Sequence, residues 1–247
     1  MTERGNGRFR ALLVDAGGTL FPDALPEAPG VREVRLRRLA ALLPELERDD
    51  VARLLDELRD RMHERSSEVE QRTDADVAEV LESARPGLGG RASEVRRTLG
   101  RATGHEHPPF AGHRELLETA GELGLRRVLV SNTNWVSDED WQEWRLASLG
   151  IDGLLDGIVT SYSLGRRKPD RAMFDRATAL AGCPPHACVF MGDREDKDVE
   201  PALALGMTVI IVAIQSPPTA TRAQHQVTSL RAATEALRTL QSPLTNP

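Results

Sequence analysis

Short apolar runs alternate with longer amphipathic stretches over most of the chain. Runs of strand type fall at about residues 9–15, 126–131, 157–161, 187–191 and 207–214. Helical periodicity fills about 112–123, 138–149, 171–182 and 197–205 between them. Such alternation predicts a doubly wound parallel sheet, an α/β fold with right-handed crossovers and helices on both faces. Groups at the C-terminal strand ends then meet on one edge of the sheet, however far apart they lie in sequence.

Residues 22–108 break the alternation. Helical periodicity alone occupies Val31–Leu43, Asp50–Glu70, Asp74–Ala84 and Arg91–Ala102, punctuated by Pro22, Pro26, Pro29-Gly30, Pro44, Pro86-Gly87 and Gly89-Gly90. The expected organisation is a core of residues 1–21 and 109–247 with an all-helical insertion at 22–108. Pro108-Pro109-Phe110-Ala111-Gly112 would form the returning hinge. After the last core strand, a loop at Gln215–Ala220 leads to Val227–Leu230 and the helix Arg231–Leu240, which close the sheet edge. The tail from Gln241 is expected to fray.

The strand ends carry the chemistry. The first run delivers Asp15 into Ala16-Gly17-Gly18-Thr19, a glycine turn whose backbone N–H groups can cradle an anion. The second run ends in Ser131-Asn132, and the third leads into Gly165-Arg-Arg-Lys168-Pro169-Asp170. The fourth ends in Gly192-Asp193, with Asp198 five residues beyond Asp193. Carboxylate, hydroxyl, lysine and acidic pair, in this order over roughly residues 9–240, resemble the four motifs of the haloacid dehalogenase superfamily. The helical insertion resembles the α-helical cap of its subclass I. One position departs: most phosphatases of that superfamily carry a second Asp two residues after the nucleophile, where this chain has Gly17.

The resemblance implies a Mg²⁺-dependent phosphatase acting on a small phosphorylated molecule through an aspartyl-phosphate. Asp15 would be the nucleophile, and Ser131 and Lys168 would complete the catalytic set. Phosphate-binding groups would be Gly17, Gly18, Thr19, Ser131, Asn132 and Lys168, with Thr19 chiefly supporting the turn. The metal set would be Asp15, the Gly17 carbonyl, Asp193 and Asp198. Asp198 could bind directly, through water, or by orienting Lys168, and Asp196 is expected in solvent. Gly17 cannot protonate a leaving group, a role worth about 10²–10⁴-fold in rate. Either the leaving group needs no help, or another acid such as Asp23 reaches in, or turnover is lost. Two further functions therefore stay open: a dehalogenase, whose first motif Asp15–Phe21 matches closely, and a non-catalytic phosphate binder. Four carboxylates within Asp193–Asp198 argue for a cation, because without one they repel.

Composition narrows the remaining choices. A net charge of −6 gives no footprint for nucleic acid, and no apolar run approaches the ~20 residues of a membrane span. The polar N-terminus lacks a signal-peptide apolar stretch, so the cytoplasm is the expected compartment. Cys188 lies in an apolar strand and is expected as a reduced thiol beside Cys183, with a disulfide or metal pair as the lesser alternative. Of 32 Lys and Arg only Lys168 and Lys197 are lysines, a bias that suits a GC-rich bacterial genome. Lys168 sits at the motif position, whereas Lys197 reads as a surface charge. Trp135, Trp141 and Trp144 are expected in packing, and His105 and His107 in an exposed hinge. Oligomeric state and substrate identity leave no mark on the sequence.

Overall fold

Strand β1 (Ala11–Val14) is buried on both faces, the signature of a central strand covered from two sides. The computed structural model describes residues 8–22, 30–103, 108–215 and 220–242, and within them β1 lies in a six-stranded parallel sheet. Helices α1 (Val31–Leu42), α2 (Arg48–Glu64), α3 (Thr73–Ala84) and α4 (Ala92–Thr103) follow it. Next come α5 (His113–Glu122), β2 (Arg126–Ser131) and α6 (Asp138–Asp140), a π-turn at Trp141–Arg145, and α7 (Leu146–Ser148). Strand β3 (Gly157–Thr160), α8 (Ser161–Leu164), α9 (Arg171–Ala181) and β4 (Cys188–Gly192) precede a second π-turn at Glu195–Val199. The chain closes with α10 (Glu200–Ala204), β5 (Thr208–Val212), β6 (His225–Val227) and α11 (Leu230–Gln241).

The sheet order is β3-β2-β1-β4-β5-β6, so the chain reverses direction across the sheet on either side of β1. Val14 stands level with Leu129 of β2 and Met191 of β4, which brings three strand ends together. Alternate side chains of β1 serve opposite cores. Leu12 and Val14 pack with Leu116 and Leu117 of α5 and Leu230 and Leu237 of α11. Ala11 and Leu13 pack with Met173 and Phe174 of α9 and Ala202 of α10.

The helices α1 to α4 bury a third cluster of their own. Leu39 and Leu43, Leu54 and Leu58, Val77 and Leu81, and Val95 and Leu99 are i, i+4 pairs, so each helix turns one apolar stripe inward. Trp135, from the loop after β2, packs against both this cluster and the first core. Trp141 is buried in the first core and Trp144 packs against it, in line with a packing role. Polar contacts hold the helical segment to the rest. Arg96 of α4 pairs with Asp140 at 2.7 Å, and Asp140 completes the capping box of Ser137 that starts α6. The stretch before α3 forms a short antiparallel ladder: Gln71 N–H donates to Gly165 O (2.9 Å) and Arg167 N–H to Val69 O (2.8 Å).

Four details depart from expectation. The third strand stops at Thr160, because its hydroxyl accepts the Ser163 N–H and opens α8. The helical stretches near 138–149 and 197–205 each contain a π-turn. Gln241 does not begin a frayed tail: its buried amide accepts from the Phe9 N–H and donates to the Phe9 carbonyl, both at 2.9 Å. The edge strand is formed by His225–Val227, earlier than Val227–Leu230. Cys183 and Cys188 are buried free thiols with Sγ atoms 3.4 Å apart. Asp23, His105 and His107, and residues 216–219 of the last loop, lie outside the described residues.

Helix α4 passes so near the Trp135 loop that a Cβ on Gly100 would sit 2.6 Å from the Trp135 carbonyl oxygen. An exposed helical Gly→Ala change ordinarily stabilises by about 1 kcal/mol. Gly100→Ala should instead lower the unfolding free energy by about 1–3 kcal/mol, the usual cost of overpacking. Urea denaturation followed by circular dichroism measures the sign.

Candidate active site

Asp15 follows β1 and is tied to β4, its N–H donating to the Met191 carbonyl at 2.8 Å. The chain then turns sharply, with the Leu20 N–H donating to Ala16 O and the Gly18 N–H to Phe21 O, both at 2.8 Å. The left-handed residue of this turn is Gly18 (φ 73°), not Gly17. A Cβ on Gly18 would also overlap the Asp193 carboxylate. Thr19 is fully buried and its hydroxyl donates to Asp15 Oδ2 at 3.4 Å.

Lys168 reaches this carboxylate from the loop between α8 and α9. Its Nζ lies 2.6 Å from Asp15 Oδ1 and 2.7 Å from Asp198 Oδ1, with all three side chains buried. Asn132, just past β2, holds the Lys168 backbone in a reciprocal pair: Lys168 N–H to Asn132 Oδ1 (2.8 Å) and Asn132 Nδ2 to Lys168 O (3.0 Å). The second π-turn folds Asp198 back on its own loop. There its Oδ2 accepts the backbone N–H groups of Asp193 (3.2 Å) and Arg194 (3.0 Å). Carboxylate oxygens of Asp15, Asp193 and Asp198 lie within 4.8 Å of one another.

Burial pushes the Asp15 carboxyl up to about 7; Lys168 pulls it down and the like charge of Asp198 adds to the rise. Burial pulls the Lys168 ammonium down, but Asp15 and Asp198 outweigh it and hold the amine protonated. The donor set is all oxygen, strongly negative and sparingly solvated. It fits a hard divalent cation, which would relieve both the repulsion and the desolvation of Asp15.

A cavity of about 290 Å³ opens over this cluster, and its walls include Asp15, Gly17, Ser131, Asn132, Lys168, Asp193 and Asp198. Gly18 and Thr19, expected to touch phosphate, are not among its lining residues; Gly18 supports Asp193 and Thr19 supports Asp15. Lys197 is a correction. Half-buried, it lines the cavity rather than standing on the surface, and burial pulls its amine down. Asp196 is exposed and pairs with Arg194 at 3.2 Å. Thr133, Asn134, Arg167 and Arg194 also line the cavity, unforeseen because each adjoins a motif without being part of it.

A family model for haloacid dehalogenase-like hydrolases matches residues 9–206. The chain belongs to this family of hydrolases. Among curated relatives, a glyceraldehyde 3-phosphate phosphatase of Methanopyrus kandleri is 26% identical over 82% of this chain and 83% of its own length. The haloacid dehalogenase-like hydrolase domain-containing protein 3 of Xenopus laevis is 32% identical over 47% of this chain. That match spans 46% of the Xenopus protein, so the chain covers less than half the length of this relative. Solved structures share the fold. A HAD phosphatase from Thermococcus onnurineus superposes with TM-score 0.61 at 21% identity, over 92% of this chain and 97% of its own. A 2-haloacid dehalogenase from Pseudomonas syringae gives TM-score 0.64 at 20% identity, over 94% and 99%.

Asp198→Ala should cost about 1–3 kcal/mol of stability, because two backbone N–H groups and one side of the Lys168 ammonium lose their acceptor. Asp196→Ala, at an exposed ion pair, should stay within about 0.5 kcal/mol of wild type. Paired urea titrations compare them; equal losses would remove Asp198 from its structural role.

Proposed function

We propose that this hydrolase is a Mg²⁺-dependent phosphatase of small phosphorylated molecules, with residues 1–21 and 109–247 as core and 22–108 as a cap domain. The observation that carries the reading is the buried Asp15–Lys168–Asp198 cluster with Asp193 beside it. A nucleophilic carboxylate, a fixed ammonium and a cation-ready acid set are the parts that phosphoryl transfer requires. Relatives named as phosphatases support it. A cavity of about 290 Å³ suits a small-molecule substrate.

Asp15, Asp193, Asp198 and the Gly17 carbonyl would hold Mg²⁺, which when bound neutralises charge on the phosphoryl oxygens. An Asp15 oxygen attacks phosphorus in line; the bond from phosphorus to the leaving oxygen breaks and its electron pair departs with that oxygen. Ser131 Oγ–H and the Asn132 N–H donate to phosphoryl oxygens, and Lys168 holds their charge while keeping Asp15 in place. Water then attacks phosphorus, releasing inorganic phosphate and restoring the Asp15 carboxylate. The dehalogenase reading uses the same nucleophile but gives no work to the cation-ready acid set.

Phosphate release from an aryl phosphate should require Mg²⁺, and 2-haloacids should yield no halide. Asp15→Asn should abolish phosphate release, by about 10³-fold or more, while cooperative melting survives. Metal-independent halide release instead would establish the dehalogenase.

With glycine at position 17, rate should rise steeply as the leaving group improves, aryl and acyl phosphates far outrunning alkyl ones. Gly17→Asp should flatten this dependence, and because Gly18 rather than Gly17 carries the positive φ, the backbone accepts the change. Equal wild-type rates on aryl and alkyl phosphates, with chemistry limiting both, would mean that another residue supplies the proton.

A further inference from the structure

Arg167 precedes Lys168 and lines the same cavity. It is more than nine-tenths buried, yet among the described residues no carboxylate lies within ion-pairing distance of it. Its Nη1 donates to two neutral amide oxygens, Asn134 Oδ1 at 2.6 Å and Gln71 Oε1 at 3.2 Å, and its Nε is buried without a partner. An uncompensated buried cation costs several kcal/mol unless something pairs with it, so structures rarely keep one without use. Desolvation alone lowers its pKa, with no opposing anion.

Its orientation is set by backbone. The Arg167 N–H donates to Val69 O in the short ladder, which places Arg167 beside Gln71 at the foot of the helical segment. Lys168, one residue on, turns the other way to Asp15 and Asp198. The two adjacent cations therefore serve different partners: Lys168 meets Asp15 and Asp198, and Arg167 meets Gln71 of the helical segment and Asn134. An ester substituent of a phosphoryl group over Asp15 that extends toward Gln71 and Asn134 would meet Arg167. Lys197 and Arg194 line the same cavity, and Arg194 pairs with Asp196.

The geometry points to a second anion-binding subsite centred on Arg167, so that the substrates are small phosphorylated acids whose carboxylate meets this guanidinium. A carboxylate meets the planar guanidinium in a two-point contact and adds the fewest atoms to a phosphorylated molecule. Amide contacts at Nη1 fix the guanidinium plane in advance, which lowers the ordering cost when an anion binds. The inference rests on the phosphatase reading.

The test compares two stable phosphonates that differ by one carboxylate. Methylphosphonate and phosphonoacetate are titrated into the Mg²⁺-loaded full chain by calorimetry, and 2-phosphoglycolate and ethyl phosphate are compared by kcat/KM. Wild type should bind phosphonoacetate about tenfold or more tightly, the worth of a charge-assisted buried hydrogen bond. In Arg167→Met that advantage should shrink to within about twofold, and Arg167→Lys should keep part of it. The kcat/KM ratio should fall in parallel. Equal wild-type binding of the two phosphonates overturns the subsite and leaves the phosphatase reading standing. Binding of neither overturns both. Equal weakening of both ligands in Arg167→Met would assign the guanidinium to the phosphoryl group and also overturn the subsite. If Arg167→Met does not melt cooperatively, the wild-type comparison and Arg167→Lys decide.

Discussion

Lys168, buried between Asp15 and Asp198, is the contact on which the rest of the site depends. Removing three ionised groups from water is costly, and only close mutual pairing with full hydrogen bonding offsets it. Asp15 follows β1, Lys168 follows α8 and Asp198 lies in the π-turn after β4, so the ammonium is satisfied only once these separate segments have been brought together by the sheet. The supporting bonds all act on that triad. Asn132 fixes the lysine backbone, the Asp193 and Arg194 N–H groups fix Asp198, and Thr19 steadies Asp15. A sheet that reverses direction around β1 is what gathers these ends on one edge.

The helical segment is joined to the same loops that carry the chemistry. Gln71 donates to the Thr133 carbonyl beyond β2, and Tyr162 of α8 donates to Asp74 of α3 at 2.8 Å. Burial and Asp74 push the Tyr162 phenol up to about 12, so it stays a donor under ordinary conditions. The stacked guanidinium of Arg96, 4.3 Å above the Tyr162 ring, bridges onward to Asp140. A shift of α3 or α4 would therefore pull on the segments following β2 and β3, and those hold Asn132 and Lys168. Coupling of this kind runs through contiguous polar bonds beside the apolar contact that Trp135 makes with both clusters.

Strands, helices and the residues ending β1, β2 and β4 were legible because their signals are local. An apolar run that stops at Asp15, Ser131 or Asp193 needs only its neighbours to be recognised. What escaped was set by long-range pairing. Arg167 looks like flanking charge until the ladder with Val69 and Gln71 turns it into the cavity, and no periodicity marks a two-residue ladder. Lys197 sits among acids and reads as solvated, yet the π-turn rotates it toward the site. The same turn carries Asp198 inward and Asp196 outward, a distinction that spacing from Asp193 anticipated. Gln241 escaped for the opposite reason: a terminal amide can bond to Phe9 only after the whole core has closed.

Glycine at position 17 changes the electrostatic character of the cavity as well as its proton supply. Three carboxylates and four cationic side chains line it, so cations already outnumber anions there and a divalent cation would add to the attraction for anions. A site of that kind holds a charged substrate without difficulty, and its ground state gains as much from those charges as its transition state does. Only interactions that strengthen at the transition state raise turnover. On the proposed reading Lys168 would qualify through charge that develops on the phosphoryl oxygens, since its pair with Asp15 is already made in the ground state. A cation distant from phosphorus contributes to capture and orientation instead. On the proposed reading, recognition and bond breaking would fall to different residues of one motif, Arg167 and Lys168, and the burden of expelling the leaving group would pass to the substrate itself.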